Sequence, residues 1–172
     1  MDVFEAIKKR RSIRRFDPNK EVTDKQIEKL LEAARWAPSA GNMQSWFFVV
    51  VKDKKTKDQL VEAARGQDFI AQAPVIFVSC ADLERSASRY GSRGSSFYAI
   101  QDATIATQNI WLTATEMGLG GVWIGAFEKD EVSQVLELPS HLRPIALLPI
   151  GYPAESPSPP SRRSIKEISR KL

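Results

Sequence analysis

Between Ser95 and Met117 the chain carries its largest helical signal: Ile100, Ala103, Thr107, Ile110, Ala114 and Met117 recur at a spacing of roughly 3.5 residues. Phe97, Ile105, Trp111 and Leu112 put apolar groups on other faces, so much of the circumference must be buried. At ~1.5 Å per residue the segment is about 33 Å long, enough to cross a domain. Gly118 stands where a C-cap is needed. The 172 residues suit one domain with one core. A helix this apolar has more surface than such a monomer hides, so a dimer burying it is the economical expectation.

The remaining elements follow from caps and periodicity. Asp2 with Glu5, and Thr23 with Gln26, read as capping boxes that open helices running to about Arg10 and to just before Pro38. Trp46–Val51 and Ala73–Ala81 read as buried strands, with a helix from Thr56 through Ala64 between them. Asp82–Ser96, polar and basic with Arg85, Arg89 and Arg93, reads as a mobile loop or lid. Gly121–Phe127 reads as a third strand, Asp130–Leu136 as a short helix and Pro144–Tyr152 as a fourth strand. The Pro- and Ser-rich stretch from Pro153 to Ser161 should be extended, with a short amphipathic piece around Ile165 and Ile168. Mixed helices and buried strands imply an α/β (α+β) fold, a sheet covered on both faces, in one domain over 1–172 with an extension over 153–172.

Composition excludes several classes. No apolar run approaches the ~20 residues of a bilayer span. The N-terminus MDVFEAIKKR lacks the basic tip and apolar stretch of a secretory signal, so no membrane and a cytoplasmic location are expected. Cys80 is the one cysteine, so no internal disulfide forms, and its apolar run reads as a buried strand thiol. His141 lies in a surface turn with no ligand partners near it in sequence, so no metal is expected. The net charge of +4 could draw phosphorylated ligands or nucleic acid without deciding between them.

Three constellations carry chemistry. Arg10, Arg11, Ser12, Arg14 and Arg15 set four guanidinium forks and a hydroxyl within six positions, a set that matches phosphate oxygens. Alone, it reads equally as a solvated helix end or a nucleic-acid patch. Ala37–Trp46, with Pro38, Ser39, Ala40, Gly41 and Asn42, joins a helix to a strand through small turn-formers and would let backbone approach a flat ligand. An ordinary connecting loop is the competing reading. Met117–Phe127 is glycine-dense, but its glycines follow a helix and enter a strand, the reverse of a dinucleotide fingerprint. A helix cap with a tight connection explains it as well.

In order, RRSIRRF, APSAGNMQSW, APVIFVSC, the long helix closing in MGLGGVWIGAF, LLPIGYP and a terminal arginine pair resemble the nitroreductase family, from about Phe4 to Ile168. The resemblance implies a three-layer α-β-α sandwich with a mixed, mainly antiparallel sheet, an intertwined homodimer, and FMN in the subunit interface. It implies that Arg10, Ser12 and Arg14 contact FMN, with Arg162 joining Arg10 at the phosphate and Arg11 and Arg163 beside them. Arg14 would lie toward the edge of the ring and ease its reduction. Gln67 would meet the pyrimidine edge, Pro38, Ser39 and Ala40 would come from the partner, Asn42 would also bind the cofactor, and backbone at Gly120, Gly121, Ile124 and Gly125 would approach the ring.

The activity implied is an NAD(P)H-dependent FMN oxidoreductase. Hydride would pass from NADH or NADPH to the flavin N5 and then to a small electron-poor acceptor, a nitroaromatic or a quinone. No side chain need act as a strong acid or base, so no catalytic residue is assigned. The basic Arg85–Arg93 stretch hints at the phosphorylated nicotinamide. Other flavin reactions on the same fold, such as reductive dehalogenation or flavin degradation, remain alternatives. So do a non-catalytic flavin carrier and a nucleic-acid-binding module.

Overall fold

The computed structural model describes residues 1–172. Its centre is a strand, β2 (Val75–Asp82), buried along its whole length up to Ala81. β2 pairs antiparallel with β1 (Trp46–Val51) on one side and β4 (Leu142–Gly151) on the other, and a two-residue β3 (Gly120–Gly121) lies beyond β4. A parallel bridge from Ser12 to Gly121 ties the N-terminal arginine segment to that outer edge.

Side chains alternate across β2 and β4, as a pleated strand requires, and each face meets its own helical layer. Val75, Phe77, Leu148 and Ile150 pack against Ile27, Leu30 and Ala34 of α2 (Asp24–Arg35) and Ala106, Ile110 and Ala114 of α6 (Ala99–Glu116). Ile76, Val78, Cys80 and Leu147 pack against Leu60, Val61 and Ala63 of α3 (Lys54–Ala63), Ile70 of α4 (Phe69–Gln72) and Val132 of α7 (Lys129–Val135). The result is a three-layer α-β-α sandwich. Fully buried Ala103 and Ala106 let α6 lie close on the sheet. There Thr107 donates its hydroxyl to the Ala103 carbonyl (2.7 Å) and so accepts from Ser79 on β2 (2.6 Å).

The caps form as the sequence predicts. Asp2 accepts from the Glu5 amide (2.8 Å) at the start of α1 (Val3–Lys9), and Thr23 from that of Gln26 (3.3 Å) at the start of α2. Each such cap contributes about 1 kcal/mol. α6 ends in a Schellman motif: Gly118 adopts a φ of 76°, its amide donates to the Thr115 carbonyl (3.1 Å), and the Leu119 amide donates to that of Ala114 (2.8 Å). No helix is long and apolar enough to cross a membrane.

Four expectations change. Trp46–Val51 is a strand at the edge of the sheet rather than buried, with Phe47 48% exposed, because an apolar run does not distinguish a central strand from an edge one. The third strand, read as Gly121–Phe127, shrinks to Gly120–Gly121 and an isolated bridge from Ile124 to Leu147. The stretch 82–96, read as a loop, is mostly helix: α5 (Leu83–Arg93) is capped by Asp82, which accepts from the Arg85 amide (2.9 Å), and a wide turn over 94–98 leads into α6. Its inner contacts are made by small residues, Gly94 lying directly on the Ser86 carbonyl, so no apolar periodicity marks it. The long helix therefore begins at Ala99 rather than Ser95. The tail runs without regular structure to α8 (Ile165–Ile168), whose two isoleucines are exposed.

Candidate functional site

The sequence-predicted residues gather at two places, one near each end of α6. Near its C-terminal end, Arg10, Arg11, Ser12 and Arg14 line an open cavity of about 290 Å³ with Pro157, Ser158 and Pro160 of the tail. Arg10 follows α1 directly, and its guanidinium lies over the Trp111 ring of α6, 4.4 Å from the centroid. Partial burial pushes the Arg10 pKa below its ordinary value, and repulsion from Arg162 and Arg11 adds to the fall. Cations from both ends of the chain are therefore close enough to oppose one another. None of Arg10, Arg11, Arg14 or Arg162 forms an ion pair, although seven pairs form elsewhere in the chain.

The carboxylate nearest this cluster in the hydrogen-bond network serves the backbone. Glu155 accepts from the amides of Arg14 (2.5 Å) and Arg15 (3.2 Å), and the Ala154 amide donates to the Arg15 carbonyl (2.9 Å), fastening the tail beside the arginine segment. Arg11 also donates to the carbonyls of Lys8 (2.7 Å) and Arg10 (2.8 Å), closing the C-terminus of α1. Arg162 donates to the Pro160 and Ser161 carbonyls, and Arg163 to that of Glu167.

Arg14 reaches the other way, over the Phe69 ring at 5.9 Å. Beside Phe69 in sequence, Gln67 donates its amide to the carbonyls of Ala64 (2.9 Å) and Ala126 (3.1 Å), so its side chain ties the end of α3 to the segment after Ile124 and Gly125. An added Cβ on Gly125 would meet nothing closer than Trp123 Nε1 at 3.6 Å, which leaves this backbone open to approach. Gly120 and Gly121 differ. A Cβ there would lie 2.6 Å from Ile13 Cγ1 and 2.6 Å from the Pro149 carbonyl oxygen respectively, so the chain's own packing accounts for both glycines.

The second gathering is the Pro38–Ser45 loop. The Ala40 amide donates to Asp102 Oδ1 (3.0 Å), and Asp102 sits near the N-terminal end of α6. Trp111 lies nine positions further along that helix, about 14 Å away along its axis. Pro38, Ser39, Ala40 and Asn42 are thus brought together with one another but not with Arg10 and Ser12 of the same chain.

Sequence reasoning missed Asp102, a buried carboxylate whose Oδ2 has no partner, though an aspartate inside an apolar helix was the available signal. It missed Glu155, which nothing in a Pro- and Ser-rich tail marks out. It assigned Arg85, Arg89 and Arg93 to a free basic stretch, whereas Arg85 donates to the Met43 carbonyl, Arg89 to that of Gly41 (3.2 Å) and Arg93 to the Tyr98 hydroxyl (2.8 Å).

The fold is a three-layer α-β-α sandwich with a cationic cavity at one end of its central helix and a tight small-residue loop at the other. The model of the nitroreductase family matches residues 7–67 and 64–152, and the chain belongs to that family. It is 36% identical over 163 residues to a Methanothermobacter thermautotrophicus protein named for NADH dehydrogenase/NAD(P)H nitroreductase, covering 91% of this chain and 80% of that one. It is 33% identical over 167 residues to the FMN reductase [NAD(P)H] of Bacillus subtilis, covering 90% and 67%. The NADPH:FMN oxidoreductase of Vibrio harveyi, solved in complex with NAD+, superposes with a TM-score of 0.90 at 27% identity, covering 98% of this chain and 76% of that one.

Proposed function

We propose that this chain is a cytoplasmic, homodimeric FMN oxidoreductase that uses NADH or NADPH to reduce a small electron-poor acceptor. The observation that carries the reading is the cavity lined by Arg10, Arg11 and Arg14, none of them in an ion pair, with Arg162 from the other end of the chain near enough to repel Arg10. Like charges held together cost free energy unless an anion joins them, and guanidinium forks match phosphate oxygens bidentately. The donor set fits the dianionic phosphate of FMN. The names of the relatives, FMN reductase and NADPH:FMN oxidoreductase, support the same ligand.

Arg10 and Arg162 clamp the phosphate in this reading, and Ser12 offers its hydroxyl between them. Arg14 holds its cation toward the ring, where positive charge favours the reduced, more anionic form. Gln67 has its amide nitrogen engaged at Ala64 and Ala126, so its Oε1 is the free end, an acceptor for a ring N–H. Gly125 leaves room beside it. When bound, FMN supplies the electron transfer between nicotinamide and acceptor. The protein fixes the ligand, offsets its charge and leaves space on one side for the two substrates in turn.

Ser39, Ala40 and the rest of the loop contribute only if a second copy brings them across. Ile105 is 41% exposed on α6 beside a cavity of about 510 Å³ lined by Trp111 and Trp123, and Val3, Phe4 and Ile7 leave the apolar side of α1 uncovered. Such surface in a chain of this size favours burial in a dimer. The test is direct. Purified protein incubated with FMN and desalted should stay yellow, bleach on NADH or NADPH without oxygen, and recover colour on adding a quinone. Protein that returns colourless from the column removes the proposal. Retained colour that neither nicotinamide bleaches reduces the protein to a flavin carrier.

A further inference from the structure

The Pro38–Ser45 loop is held in a costly conformation. Gly41, Asn42 and Gln44 all have positive φ, at 54°, 56° and 53°. For Asn and Gln this left-handed region costs free energy unless surrounding contacts impose it. The contacts come from three side chains outside the loop. Asp102, 3% exposed, accepts from the Ala40 amide, Arg89 donates to the Gly41 carbonyl, and Arg85 donates to the Met43 carbonyl. Tyr90 closes the fourth side, its hydroxyl so near Gly41 that an added Cβ would collide with it. Within the loop, Ser39 Oγ accepts from the Gln44 amide (2.9 Å). Arg85 and Arg89 stand four residues apart and so share a face of α5. Gly91, with φ 56° and ψ −143°, breaks the helix after them, and Arg93 turns to Tyr98 instead.

We propose that Arg85, Arg89 and Asp102 are positioning residues that clamp the 38–45 loop of one subunit in the shape that meets the FMN bound mainly by the other. The inference rests on the flavin reading. It gives the basic helix face a role in holding this loop, in place of binding a nicotinamide phosphate. Two cationic donors and one carboxylate acceptor fix three consecutive stretches of backbone, at Ala40, Gly41 and Met43. Their loss leaves the fold intact but frees the loop, so ordering it again on each binding event weakens FMN retention.

FMN titration followed by quenching of flavin fluorescence tests this on the whole protein. Because these contacts act on FMN only through the ordering of the loop, R85A/R89A should raise the FMN Kd by roughly tenfold. R93A should stay within about twofold of the parent, since Arg93 does not reach the loop, a difference of ~0.4 kcal/mol at most. R85K/R89K should recover part of the loss. A mixed dimer separates the clamp from general damage: pair an R10A subunit with an R85A/R89A subunit. A clamp acting on the partner's ligand puts both lesions in one site and leaves the other with parental affinity. Two weakened sites and no parental one overturn the inference, as does parental affinity in R85A/R89A itself. A parent that binds no FMN overturns the flavin reading and this inference with it; a parent that binds normally beside an unaffected variant overturns the inference alone.

Discussion

The two ends of α6 solve opposite problems. Near Trp111, arginines line one cavity and none of them forms an ion pair, while Arg10 is opposed by Arg11 and Arg162. Near Asp102, the Pro38–Ser45 loop has its carbonyls and amides met by Arg85, Arg89 and Asp102. The first end leaves its charges without ion pairs; the second has its loop backbone held by side chains from outside the loop. A chain with a two-fold partner can join such ends into one site, with fixed backbone on one side and unpaired charge on the other.

Removing the charge should have the largest effect. R10A/R162A deletes both proposed phosphate clamps, and losing two charge-assisted contacts of about 1.5–3 kcal/mol each predicts an FMN Kd raised at least ~100-fold. The same change removes a repulsive pair, so the melting temperature without FMN should hold or rise. A variant that binds like the parent breaks the contrast at the arginine end. At the loop end, Gly41→Ala forces a Cβ toward Tyr90 and Arg89 at φ 54°. We expect about 1–3 kcal/mol of destabilisation in a denaturant titration, with FMN binding weakened beyond what the stability loss explains. Unchanged stability would show that the loop is less tightly held than its contacts imply.

In the core between the two ends the expected effect lies in the pH dependence of stability and leaves FMN binding near neutral pH unchanged. Burial pushes the Cys80 thiol up to about 12. The folded state therefore keeps its proton where the unfolded chain, with an ordinary thiol near 8.5, releases it. Stability from this group is fully present below about pH 8.5 and is lost as pH rises from there toward 12, at up to ~1.4 kcal/mol per pH unit. Cys80→Ala should flatten that part of the stability profile, and an unchanged slope would mean the thiol is not the group responsible.

How much was legible in the sequence follows the same division. Caps and periodicity located α1, α2 and α6, because backbone hydrogen bonding and one-sided burial write themselves into local pattern. α5 was not legible as a helix, because Ser86 and Gly94 make its inner contacts and small residues carry no hydrophobic rhythm. The short β3 was overestimated because Val122, Trp123 and Ile124 suit a strand, although only Ile124 finds a bridge. The chemistry of Arg10, Ser12 and Arg14 marks a stretch that suits phosphate, but only the family resemblance gives those residues to a flavin. Asp102, Glu155 and the clamp formed by Arg85 and Arg89 act through backbone groups far away in sequence, and such pairings exist only once the chain has folded.

The central claim is that the two ends meet across a dimer around one anionic flavin. Sedimentation of FMN-loaded protein, followed at the visible absorbance of the flavin, tests it most directly. The flavin should travel with a species of twice the chain mass, at one FMN per chain. Flavin moving with a single chain, or moving free of the protein, would contradict it.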